Sequence, residues 1–177
     1  MRYVALLRGI NVGGNNKIKM ADLTHAVEHA GYTNVTTFIQ SGNVIFDSEM
    51  SDREKIAKDI ERVILDAFKL VIRVVIRSLP EMQRIVANMP SSWAKEDLRK
   101  YVAFIKEPMT AAAAAKEIPV REGIDILDVG DGVLYMATKT EGLTKSGYTK
   151  IVGTKIYNDM TMRNSTTTLK ILSLMRQ

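Results

Sequence analysis

The 177-residue chain is 46% hydrophobic, carries no cysteine and has a formal net charge of +5. That hydrophobic share can bury a core in one domain or in two small subdomains, which excludes a disordered chain. The missing cysteine excludes disulfides, thiolate nucleophiles and sulfur-ligated zinc, and points to the cytoplasm. The basic excess is all C-terminal: residues 1–138 hold 18 Lys+Arg against 18 Asp+Glu, and residues 139–177 hold 7 against 2. Such an excess attracts phosphates or nucleic acid, or forms a solvated face.

Tyr3 to Leu7 is a continuous apolar run, the pattern of a central strand buried on both faces. At five residues it is too short for a signal peptide or a membrane span. Met20, Leu23, Ala26, Val27 and Ala30 recur at helical spacing, and Gly31 ends that helix. Val35–Gln40 and Asn43–Asp47 read as a hairpin joined through Ser41-Gly42. Ser51 to Glu54 has the form of a capping box opening a helix whose buried stripe includes Ile56, Ile60, Val63 and Ile64. Val71–Arg77 follows as an edge strand with Arg73 and Arg77 on its outer face.

These elements predict a ferredoxin-like β-α-β-β-α-β half over residues 1–78. Ser78 to Glu81 forms a second capping box for a connecting helix, and Pro90-Ser91-Ser92 marks a boundary. Beyond it come a strand at Tyr101–Lys106, an alanine-rich helix at Thr110–Glu117, and a hairpin closed by Asp131-Gly132. A helix over 144–158 is weakened by Gly147, Thr149 and Gly153. Thr166–Arg176 is the last helix, with Asn164 or Ser165 as its cap. The expected fold is α+β, residues 79–177 forming a second, modified α+β half packed with the first.

Topology singles out one edge of the first half. Strands one and two run parallel because a helix crosses between them, and strand three returns through a tight turn. The loop from Gly9 to Lys19 and the turn Gln40-Ser41-Gly42-Asn43 therefore emerge together. They bring Gly and Asn backbone, the Ser41 hydroxyl and the charges of Arg8, Lys17 and Lys19 to one place, with a helix start favouring an anion. The bland alternative is that both segments simply make turns.

Arg8-Gly9-Ile10-Asn11-Val12-Gly13-Gly14 with Lys17 and Met20, Gln40-Ser41-Gly42-Asn43-Val44 with Phe46, and Thr161-Met162-Arg163-Asn164 resemble the bacterial family called domain of unknown function 1697. The resemblance covers nearly the whole chain. It implies an α+β fold with a ferredoxin-like part and no established activity. By its motifs it marks Arg8, Asn11, Gly13, Gly14, Lys17, Gln40, Ser41, Asn43, Arg163 and Asn164 as the ligand-binding set. It departs at Ser165, where the family pattern carries an aromatic residue, so no stacking role is carried over there.

Three functions stay open on the residues: binding of a small phosphate-containing anion or a nucleic-acid backbone at the two loops, an enzyme using Ser41 on a phosphorylated or acyl substrate, and a protein interaction module. No cofactor and no oligomeric state are indicated. His25-x-x-Glu28-His29 has metal-like spacing but sits on the solvent flank of its helix, so no metal is expected. Gly142 to Ser146 lacks the glycine that a P-loop needs before its Lys-Ser pair. Trp93 is expected to pack over the boundary.

Overall fold

The computed structural model describes residues 1–40, 42–94 and 97–177. Among them, eight strands form two four-stranded sheets, antiparallel at every pairing. The fold is mixed α+β. The chain divides into two compact units, Met1–Met82 with Ile171–Gln177, and Gln83–Lys170. Among the described residues no helix is long and apolar enough to cross a membrane.

The first unit runs β1 (Arg2–Leu7), α1 (Met20–His29), β2 (Thr33–Phe38), β3 (Asn43–Asp47), α2 (Arg53–Phe68) and β4 (Val74–Ser78), in the sheet order β2-β3-β1-β4. Alternation decides which side chains meet the helices. Tyr3, Ala5 and Leu7 of β1, with Val44, Phe46, Val74 and Ile76 from its neighbours, pack against Leu23 and Val27 of α1 and Ile56, Ile60 and Ile64 of α2. Val4 and Leu6, on the other pleat face, are fully buried as well. A strand closed to water on both faces can be apolar throughout, which is the run visible in the sequence. Phe46 anchors this core edge-on to Tyr32, with ring centroids 4.8 Å apart, and removing its ring would cost about 3–5 kcal/mol.

Two local expectations shift. Helix α2 is capped by Asp52 rather than Ser51: Asp52 Oδ1 accepts from the amides of Glu54 at 3.0 Å and Lys55 at 3.1 Å. A carboxylate placed there satisfies two otherwise unpaired amides with one group. Arg77 of β4 is only 4% exposed, although β4 is an edge strand. Its pleat position opposite Val4 puts it on the buried face. The next helix, α3 (Leu79–Ala87), has the expected box, with the Ser78 amide and hydroxyl both donating to Glu81 Oε2.

The second unit contains β5 (Leu98–Ile105), α4 (Ala111–Glu117), β6 (Asp125–Gly130), β7 (Val133–Lys139), a short α5 (Lys155–Asn158) and β8 (Met160–Asn164), before α6 (Ser165–Met175). Its order, β6-β7-β5-β8, repeats that of the first unit element for element. The match extends to single residues. Val4 pairs with Arg77 and Val102 pairs with Arg163, and each arginine donates to the carbonyl of the residue before it at 2.8 Å. β8 has no expectation behind it: the alternation Met160-Thr161-Met162-Arg163 is only four residues long, and the strand is defined by its pairing with β5.

The helix expected over 144–158 is instead two 3-10 turns, Thr140–Lys145 and Gly147–Ile151, followed by α5. A buried carboxylate explains the break. Asp125 accepts from Ser146 Oγ (2.6 Å), Thr138 Oγ1 (2.9 Å), Gly147 N (2.7 Å) and Arg121 N (2.9 Å). Burial opposes ionisation of this carboxyl, yet the four donors together outweigh it and hold it below its usual value. Ser146 and Gly147 are thereby held out of helical register. Ala103, Ile105, Leu134 and Met136 pack with Ala111, Ala114 and Ile118 to form this unit's core.

Candidate functional site

The first unit joins the Gly/Asn loop to the β2–β3 turn. β1 ends where β3 begins, with Leu6 opposite Asn43, and the Leu7 amide donates to Gly42 O at 2.8 Å. Gly42 has φ +76, and a Cβ there would lie 2.7 Å from Leu7 Cβ and 2.8 Å from Ile10 Cδ1. Only glycine meets both the backbone angle and the close approach.

The loop is ordered by its own backbone. Val12 and Asn15 bridge across Gly13-Gly14, whose φ values of +58 and +81 are the positive pair that a type I′ turn requires. Asn11 and Asn16 also take positive φ, which asparagine tolerates better than most residues. The Asn11 amide donates to Asn16 O, and Asn16 Nδ2 donates to Gly9 O at 2.9 Å. The side chain of Asn11 then ties three segments together. Its Nδ2 donates to Ile18 O and Gln40 O, each at 2.9 Å, and its Oδ1 accepts from Ile18 N at 2.8 Å.

The marked residues thus separate by role. Asn11 is spent on joining the loops, and Asn43, fully buried, donates to Phe38 O and builds the turn. Gly13, Gly14, Lys17 and Gln40 are exposed, and Arg8 is half-buried. Ser41 lies outside the described residues. Arg163 and Asn164 belong to β8 of the second unit. Arg163, 7% exposed, donates to Thr161 Oγ1 at 2.9 Å; burial pushes its pKa down to about 10, which still leaves it charged at neutral pH. Asn164 caps α6, its Oδ1 accepting from Thr167 N at 2.7 Å. His25 is exposed beside Glu28, and the described residues contain no cluster of three or more metal-ligating His, Cys, Asp or Glu side chains.

Two features join the loop that sequence reasoning did not place there. The Arg8 amide donates to Arg73 O at 2.9 Å, bringing a further cationic residue alongside; Arg73, expected within an edge strand over Val71–Arg77, lies just before β4. Ile39, exposed, has φ +51, an outlier for a β-branched residue. No local signal marks either. Charge is one-sided, since Arg8 to Lys19 holds three cations and no carboxylate. Neither Lys17 nor Lys19 forms an ion pair among the described residues. Helix α1 begins at once after this loop, and its cap position, Lys19, supplies no side-chain hydrogen bond.

Fold and loop geometry together define a small α+β protein of two like-ordered antiparallel units with a rigid, cationic Gly/Asn loop on the first. The chain belongs to the family described as Protein of unknown function (DUF1697), whose model matches residues 1–135. It is similar in structure to the conserved bacterial protein SP0830 from Streptococcus pneumoniae, with a TM-score of 0.84 and 25% identity over 98% of each chain. No curated protein matches the chain.

Proposed function

We propose that the protein binds a phosphate-type anion at the Gly9–Lys19 loop, using the Gly13-Gly14 tip, Lys17, Lys19 and the first amides of α1. The observation that carries this reading is the direct passage from an internally hydrogen-bonded cationic loop into a helix whose cap residue supplies no side-chain hydrogen bond, the first turn of that helix carrying one carboxylate, Asp22. Unpaired amides and the helix dipole favour negative charge there, and the lysines add to that field. A loop already ordered by Asn11 loses little entropy when a ligand settles on it. The β2-β3-β1-β4 order supports treating this unit as ferredoxin-like, and the absence of cysteine supports a cytoplasmic setting.

The test is a ¹H–¹⁵N titration with inorganic phosphate and pyrophosphate. The amides of Gly13, Gly14 and Met20 to Asp22 should shift in one saturable process. Replacing Lys17 and Lys19 together with Ala should weaken it about tenfold, the equivalent of about 1.4 kcal/mol. Shifts confined to other parts of the chain, or an affinity indifferent to the double substitution, would overturn the reading.

A further inference from the structure

The two sheets repeat one another down to a tyrosine. Tyr3 of β1 lies opposite Phe46 and Ser78, and Tyr101 of β5 lies opposite Met136 and Asn164. Tyr3 is 1% exposed: it stacks on Phe46, and its hydroxyl donates to the carbonyl of Met50, just ahead of α2. In the second unit the corresponding connection, from β7 to β8, forms two 3-10 turns and the four-residue α5 instead. Tyr101 is left 37% exposed although β5 is a central strand, and it is the only exposed Phe, Tyr or Trp among the described residues. We infer that this uncovered end of the second sheet binds single-stranded nucleic acid, with a base stacked on Tyr101 and flanking phosphates held by Arg99 and Lys145.

Strand register places these groups on one surface. Arg99, two residues from Tyr101, belongs to the same pleat face; it is exposed and lies opposite Thr138. Thr138 Oγ1 is 3.3 Å from Ser146 Oγ, so the exposed Lys145, next to Ser146 in the chain, arrives beside the Arg99 row. Arg121 Nη1 donates to the Lys145 carbonyl at 3.4 Å. Asn164, exposed and directly across from Tyr101, adds its amide beside the ring. Neither Arg99 nor Lys145 forms an ion pair among the described residues. The carboxylate of the same row, Asp125, is covered by its four donors. Every base has a π face to lay on an open tyrosine, and a single strand brings phosphates to the cations at its side. A protein partner fits less well. A stable interface buries about 800 Å² on each side, and a single ring bordered by cations and an amide does not supply an apolar core of that size.

The experiment is fluorescence anisotropy of the full chain with a labelled oligothymidylate of about twelve nucleotides at low salt. Tyr101→Ala should weaken binding about tenfold, and Tyr101→Phe, which keeps the ring, should bind as the unaltered protein does. Arg99→Ala with Lys145→Ala should lower the slope of log affinity against log salt by about 1.4, two phosphate contacts at about 0.7 each. Lys17→Ala with Lys19→Ala, in the first unit, should leave the dependence on Tyr101 intact. Amide spectra check the folding of each variant; if Tyr101→Ala does not fold, the salt slope of the Arg99 and Lys145 pair carries the test by itself. Absence of binding, or binding that Tyr101→Ala leaves unchanged, would overturn the inference. A duplex of the same length that competes as well as the single strand would reduce the site to charge attraction and also overturn it. So would a light-scattering mass of two copies that Tyr101→Arg returns to one, because the face would then serve self-association.

Discussion

Asn11→Ala tests the geometry of the site most directly. The substitution removes three hydrogen bonds, each worth about 1 kcal/mol net. Two of them satisfy the N–H and C=O of Ile18, a residue only 4% exposed, so the loss lies toward the upper end of that scale. Alanine must also adopt the φ of +53 that Asn11 holds, adding about 1 kcal/mol. The expected destabilisation is about 3–4 kcal/mol, a large share of a typical folding free energy of about 5–15 kcal/mol. The melting temperature should fall by about 10 °C for a chain of this size. Asn11→Gly separates the two contributions, because glycine accepts the backbone angle and loses only the bonds; it should be less damaging by about 1 kcal/mol. Urea unfolding supplies the free energy, and hydrogen exchange at the Ile18 amide supplies the local readout. A loss below about 1 kcal/mol for Asn11→Ala, with Ile18 exchange unchanged, would refute the role assigned to this side chain.

Gly42→Ala should destabilise by about 3 kcal/mol, combining a positive φ with overpacking against Leu7 and Ile10, as measured by denaturant midpoint. Ile39→Asn should do the opposite, raising stability by about 1 kcal/mol through relief of the left-handed backbone; a loss of similar size would remove the strain argument. Asp125→Asn should cost about 2 kcal/mol, because an amide nitrogen turned toward the Arg121 and Gly147 amides faces two donors, and turned toward Thr138 and Ser146 it makes both hydroxyls accept where they had donated to a charge. The same carboxylate gives an acid dependence of definite sign. Its folded pKa lies below the ordinary value, so its contribution is complete above a pH of about 4 and is lost as pH falls through the folded value. Stability measured from pH 6 to pH 2 should therefore decline less steeply in Asp125→Asn than in the unaltered protein.

Much of the architecture is written locally. The apolar run at Tyr3–Leu7, the stripes of α1 and α2, the Ser78–Glu81 box and the Asp131-Gly132 hairpin each depend on residues a few positions apart, so periodicity and turn chemistry reveal them. The convergence of the Gly/Asn loop with the β2–β3 turn was also legible, because the crossover helix and the hairpin leave those segments one common edge.

What tertiary structure alone decided are the contacts made across long sequence separations. Asn11 reaches Gln40 29 residues away, and Ser146 and Gly147 are drawn out of a helix by Asp125 more than twenty residues earlier. β8 exists because β5 offers its edge, and Arg77 and Arg163 are buried because of the pleat face on which their pairing sets them. Side-chain type in the sequence fixes what a residue can donate or accept. Which partner it meets, and so whether an asparagine holds a ligand or holds a loop, is determined only when the chain closes on itself.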